Sequence, residues 1–242
     1  MGKFGIGWRL DMAKSLKLWF SRLHDKDENK RRQAKSVLAG LTPDDKKCIP
    51  DLLAYLKCND SAHRYWAARG LSAIGPHAKD AASTLIDALR DKDDDCRFWA
   101  IIALSSIGPA AKDATPRLIE HLHDRAFGIR QAAAAALSVI NPAAREVVPA
   151  LVRVLASDKN NYVREEIVRA LGKIGTKGAV AALIGALTDD SRDVRWYAAI
   201  GLKMLGARAK EAKKALQTLM ANESDELIRS QAEVALRRMQ RR

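Results

Sequence analysis

The stretch that decides the fold is Asp189-Asp190-Ser191-Arg192-Asp193-Val194-Arg195-Trp196-Tyr197-Ala198-Ala199-Ile200-Gly201-Leu202-Lys203-Met204-Leu205-Gly206. It reads as an acidic turn, a Val-Arg pair, a helix of small and apolar residues, and a glycine stop. The same sentence recurs throughout the sequence, and each copy is anchored on one arginine. The anchors are Arg31, Arg64, Arg97, Arg130, Arg164, Arg195 and Arg229, spaced by 33, 33, 33, 34, 31 and 34 residues. Seven residues after each anchor stands a leucine, from Leu38 to Leu236. Ten after it stands Leu41, Ile74, Ile107, Ile140, Ile174, Leu205 or Met239. Self-similarity at this period marks a solenoid, in which each unit buries its apolar face only against its neighbours.

Working outward, each unit resolves into two helices. The second, here called B, starts just before the anchor and ends at Gly75, Gly108, Asn141, Gly175 or Gly206, residues that tolerate the left-handed backbone of a helix end. Proline follows three of these stops, at Pro76, Pro109 and Pro142, and prevents continuation. The next helix, A, carries Leu, Ile and Val at three- and four-residue steps, as in Lys79–Leu89 and Val147–Leu155. Asp60, Asp93, Asp124, Asp158, Asp189 and Asp225 precede the B helices and are expected to cap their exposed N–H groups. Seven pairs result, over 10–41, 44–75, 78–108, 112–141, 143–175, 178–206 and 208–240. The turn Gly175-Thr176-Lys177-Gly178 is shorter than the others and lacks the proline. Residues 1–9, with Gly2, Gly5 and Gly7, read as a loose arm, and 10–242 as a single all-α repeat domain.

The pattern Asp-x-x-Val-Arg-x-x-Ala-Ala-x-x-Leu-x-x-Ile-Gly-Pro-Ala-Ala resembles HEAT repeats, in particular the short variety of phycobilisome lyases. The resemblance covers about residues 10 to 240. It implies a right-handed superhelix with B helices on the concave face and A helices outside. It also implies a ladder in which the Asp and Arg at each B-helix start join adjacent repeats. The family serves mostly as scaffolds and adaptors.

Net charge is +13 and the pI is near 9.8, which points to acidic partners. Most of that charge sits on the B segments, but the seven ladder arginines take a large part of it. What remains includes Arg69, Arg169, Lys173 and Lys203, with further basic residues at the two ends. Six of the thirteen aromatic residues occupy one slot, one or two residues after an anchor: Tyr65, Trp66, Phe98, Trp99, Trp196 and Tyr197. These positions lie off the core face set by the third, seventh and tenth residues after the anchor. Together with the four basic residues they form an expected partner strip on the concave face. Its expected partner is an acidic protein segment anchored on aromatic rings. The alternative is DNA or RNA on the same strip, with bases stacked on the rings. A phosphate-binding groove calls for about 6–10 neutralised phosphates, and the strip supplies them only if nearly every basic residue takes part.

No cofactor, metal or catalytic residue is expected. The five histidines show no zinc-ligand spacing, and no Ser-His-Asp set, phosphate loop or redox cysteine pair is present. A helical-repeat DNA glycosylase would need a carboxylate beside aromatic rings, and Glu165 and Glu166 are the acids well inside a centrally placed B helix. A bilin-lyase role rests on the resemblance alone. Cys48, Cys58 and Cys96 suit a reducing compartment, and Arg9, Asp11 and Lys14 break any signal-peptide core. A cytoplasmic location is therefore expected. The helix from residue 10 onward is expected to cap the first repeat rather than to lie on a membrane.

Overall fold

In a computed structural model, residues 12–141, 143 and 145–240 are described. The expected arm over residues 1–9 lies outside the described residues, as do Arg241 and Arg242. Fourteen α-helices follow in order: α1 (Met12–Ser21), α2 (Glu28–Ala39), α3 (Ile49–Leu56), α4 (Ser61–Ile74), α5 (Ala82–Ala88), α6 (Asp94–Ile107), α7 (Thr115–His121), α8 (Phe127–Ile140), α9 (Val147–Ser157), α10 (Asn161–Ile174), α11 (Lys177–Ala186), α12 (Arg192–Leu205), α13 (Lys213–Asn222) and α14 (Glu226–Gln240). Odd-numbered helices are the A members and even-numbered ones the B members. The molecule falls into two compact units, Met1–Arg117 and Leu118–Arg242, with the boundary inside α7.

The anchor register explains the core of both units. The residue three after each anchor is buried in all seven repeats: Ala34, Ala67, Ala100, Ala133, Ile167, Ala198 and Ala232. So is the residue ten after it, from Leu41 to Met239. Of the leucines at seven, only Leu236 in α14 is half-buried. Small residues let consecutive B helices approach, and α4 packs on α6, α8 on α10, α10 on α12 and α12 on α14. A Cβ added to Gly172 would lie 3.1 Å from the Gly201 Cα, so α10 and α12 meet there backbone to backbone. The A helices of each unit are far less engaged with one another than the B helices are. Within each unit, neighbouring repeats are thus joined mainly through their B members.

The helix stops divide by backbone geometry. Gly75, Gly108 and Gly206 take φ of 64°, 76° and 52° with ψ of −132°, −143° and −123°. That region is nearly closed to residues with a Cβ. Each of these three glycines leads into a short 3₁₀ segment before the next A helix. Gly175 instead adopts true left-handed values, φ 60° and ψ 25°, and α11 begins two residues later with Thr176 as its cap. The short fifth turn is therefore a different exit, not a trimmed copy. Asn141 corrects the sequence expectation: its φ is −150°, so it does not close α8 in the left-handed conformation. A side chain excludes Asn from the glycine-only geometry used by its counterparts.

α1 packs as the first A helix. Leu16 and Phe20 are fully buried and Leu23, just beyond, nearly so, while Leu18 stays exposed. An apolar face spent on the protein interior is not free to enter a bilayer. Among the described residues no helix is long and apolar enough to cross a membrane.

Candidate functional site: the arginine ladder and the aromatic-basic face

Two sets of arginines, alike in sequence, have different surroundings. In every repeat the anchor arginine donates from Nη1 to the carbonyl oxygen six residues before it: Asp25, Cys58, Asp91, Asp124, Asp158, Asp189 and Glu223 in turn. That bond closes the turn between A and B. Anchors also reach the carboxylate that stands at the same place in the next repeat. Arg64 holds Asp91, Arg130 holds Asp158, Arg164 holds Asp189 and Arg195 holds Glu223, each through two N–H donors. Fork-to-carboxylate bonding of this kind fixes both distance and orientation between layers.

The carboxylates respond accordingly. Burial opposes ionisation of Asp91 and Asp158, but the bonds from Arg64 and Arg130 and from turn N–H groups outweigh it and hold both below the usual Asp range. Glu223 is lowered chiefly by its bond from Arg195. The ladder acids are not the helix caps that the sequence suggested. Asp158 and Asp189 sit two residues ahead of the caps, which are Asn160 and Ser191. Asp124 likewise bonds the Ala126 N–H in the turn. Asp60, Asp93 and Asp225 do cap, accepting from His63, Cys96 and Ile228 N–H groups respectively. Two acids with separate tasks lie close together, and the sequence alone merges them.

The strip residues form two clusters, one in each unit. In the first unit, Tyr65 meets Trp66 edge-on at 5.1 Å and Trp99 at 6.0 Å, and Phe98 meets Trp99 at 5.7 Å. Arg69 lies over both indoles, 4.9 Å from Trp66 and 5.1 Å from Trp99, and donates to the Tyr65 hydroxyl at 3.3 Å. Among the described residues Arg69 forms no ion pair. Trp66 departs from the expected open strip: it is 7% exposed, roofed by Arg69 and flanked by Tyr65, while Tyr65, Phe98 and Trp99 are half-buried.

In the second unit, Trp196 and Tyr197 pack at 4.7 Å. Arg169 lies 4.1 Å above the Tyr197 ring and donates to its hydroxyl at 2.8 Å, and it also approaches Glu166 at 3.4 Å. Lys173 is exposed on α10, and Lys203 donates to Gln231 of α14. Glu165, beside this cluster, is buried; burial and the charge of Asp193 push its carboxyl up. Glu166 is engaged by Arg169, so neither acid stands free beside a ring.

Spacing in the sequence also hid one group. His24, Asp60 and His63 bring an imidazole, a carboxylate and a second imidazole together, with donor atoms within 4.8 Å of one another. His24 lies seven residues before its anchor, and Asp60 and His63 lie four and one before the next anchor. Alignment of the repeats, rather than a search for histidine spacing, is the signal that finds them. The cysteines are free, and burial pushes the Cys48 and Cys96 thiols up to about 11 and about 12.

Stacked helix pairs joined by an Arg–carboxylate ladder define a helical-repeat protein. The family pattern of HEAT repeats matches residues 16–105, 76–138 and 148–237, and this protein belongs to that family. The lyase-type subgroup is not distinguished by this match. No curated protein matches the sequence. Among solved structures, a designed armadillo repeat protein in complex with the peptide (KR)4 is 20% identical, with a TM-score of 0.62 over 79% of this chain and 99% of that one. An engineered protein is 24% identical with a TM-score of 0.63, covering 95% and 68% of the two chains. YibA of E. coli is 23% identical with a TM-score of 0.55, covering 98% and 99%. At such identities the likeness is one of fold.

Proposed function

We propose that this protein is a non-enzymatic adaptor whose B-helix faces take an acidic protein segment. The observation that carries the reading is Arg69: a guanidinium held over two indoles, with no carboxylate among the described residues to neutralise it. An arginine fixed in place by rings loses little freedom when a carboxylate arrives. Arg64, Arg130, Arg164 and Arg195 cannot serve a partner in this way, because their forks already hold carboxylates. Arg169 on Tyr197, with exposed Lys173 nearby, offers a second point of the same chemistry.

The solved neighbours support a peptide-binding reading in general terms. The designed armadillo protein holds a peptide of alternating Lys and Arg. Here the net charge is +13, so the complementary segment is acidic. Nucleic acid is the rival reading. Against it, guanidinium groups cover faces of Trp66, Trp99 and Tyr197, where bases would have to stack.

Fluorescence anisotropy tests this directly. A short labelled peptide rich in Glu and Asp with one or two apolar residues is titrated against the protein, beside a Lys-rich peptide and random single- and double-stranded oligonucleotides. The expected result is saturable binding of the acidic peptide, weakened about tenfold by Arg69→Ala, equivalent to roughly 1.4 kcal/mol. Tighter oligonucleotide binding with a steep salt dependence would replace this reading by the nucleic-acid one.

A further inference from the structure

The first joint between repeats lacks a ladder rung. Arg31 reaches the carbonyls of Asp25 and Lys26, but the position that supplies the next repeat's carboxylate elsewhere is occupied by Cys58. At the same joint stand His24 from the first repeat and Asp60 and His63 from the second. His24 Nε2 lies 3.0 Å from one Asp60 carboxylate oxygen, and His63 Nδ1 lies 4.0 Å from the other.

His63 is prepared for a further ligand. Its Nε2 lies 3.1 Å from the Phe20 carbonyl oxygen, which can only accept, so Nε2 carries the proton. In the neutral ring Nδ1 then presents its lone pair towards Asp60 and His24. The ring cannot easily turn away. Phe20 and Tyr55 stack at 3.8 Å, and His63 stands edge-on to them at 5.5 and 5.4 Å. An imidazole that donates to a backbone carbonyl through one nitrogen and offers the other is the outer-shell arrangement of metal-binding histidines. Asp60 is held in place by the His63 backbone N–H at 2.8 Å.

We propose that His24 Nε2, His63 Nδ1 and one Asp60 carboxylate oxygen bind a divalent transition-metal ion of the Zn²⁺ type, which joins the first repeat to the second where the arginine rung is missing. Two imidazoles and one carboxylate form a donor set suited to zinc, with a fourth position left for water. Ligands around a tetrahedral ion at zinc bond lengths stand about 3.3 Å apart; here one donor atom from each of the three residues lies within 4.8 Å of the others, so the set closes by a small inward movement. His24, with a side chain 57% exposed, is free to move the remaining distance. Binding replaces the His24–Asp60 hydrogen bond, and the His24 proton resides on Nδ1 in the bound form.

The test uses untagged full-length protein stripped with a chelator and titrated with ZnCl₂ by calorimetry and by competition with a chromophoric chelator. One-to-one saturable binding is expected, weakened at least about tenfold in His24→Gln and in His63→Gln and unchanged in His77→Gln. His24→Gln alters a largely exposed side chain, so its folding is secure, and circular dichroism verifies this. Hydrogen exchange should show zinc-dependent protection of α1 in the wild type and none in His24→Gln. Absence of saturable binding, or equal affinity in wild type and His24→Gln, would overturn the proposal.

Discussion

The α4–α6 face of the first unit and the α10–α12 face of the second use the same residue types to different ends. On α4–α6, Arg69 is shared by two indoles from adjacent repeats and forms no ion pair among the described residues, while Trp66 beneath it is buried. On α10–α12, Arg169 lies over one tyrosine and is drawn towards Glu166, and a buried Glu165 adds latent negative charge. The first face is a rigid cation on an aromatic floor. The second is a partly self-neutralised patch with lysines around it. Aromatic residues at the slots one and two past the anchor therefore stand in different electrostatic surroundings on the two faces, and the proposed binding strength follows the charge beside them.

The comparison depends on the ladder holding the two helices of each face in register, and the largest expected effect lies there. Arg64→Ala leaves Asp91 buried without its fork, since the two side chains are only 10% and 7% exposed. A loss of about 3–5 kcal/mol is expected in chemical denaturation. Arg164→Ala, at a rung 16% and 14% exposed, should cost less. Equal, negligible losses at both rungs would break the account of the joints.

Next in size is Gly172→Ala. The added methyl meets the Gly201 Cα, and overpacking of this kind costs about 1–3 kcal/mol. This change separates α10 from α12 and should lower acidic-peptide affinity at the second face while sparing Arg69. On the binding side, Arg69→Ala should cost about tenfold and Arg169→Ala about threefold, because Arg169 is already partly satisfied. A larger effect at Arg169 would reverse the ranking of the two faces.

Acid should act on the ladder before it acts on the aromatic contacts. Asp91, Asp158 and Glu223 ionise more readily folded than unfolded, so their contribution is present above the unfolded values, near 3.8 for Asp and 4.5 for Glu. It is lost as pH falls through the lower folded values. Stability measured by denaturation should thus drop steeply below about pH 4, and less steeply in Arg64→Ala. The smallest effect has the opposite sign. Glu165 has a raised folded pKa, so its charged form opposes folding at neutral pH. Glu165→Gln should leave stability at pH 7 unchanged or slightly higher, with no comparable gain at pH 4.

Much of this was legible in the residues. The period, the seven helix pairs and the buried positions three and ten after each anchor follow from apolar spacing, which packing alone enforces. The acids were legible as a group but not by task. Asp158 and Asp189 look like caps because a carboxylate near a helix start suits either role; the ladder that the repeat resemblance implies is where they serve, held by Arg130 and Arg164. Trp66 was misplaced because helical phase alone cannot show that Arg69 and Tyr65 close over it. His24, Asp60 and His63 escaped because their proximity is set by the stacking of repeats, not by their separation in sequence.

The central claim is that the B-helix faces are where a partner sits. Hydrogen exchange with and without the acidic peptide tests it most directly. The account predicts slowed exchange in α4, α6, α10 and α12, with α4–α6 the stronger and reduced by Arg69→Ala at subsaturating peptide. Protection confined to the A helices α5 and α11, or an unchanged pattern at saturating peptide, would contradict it.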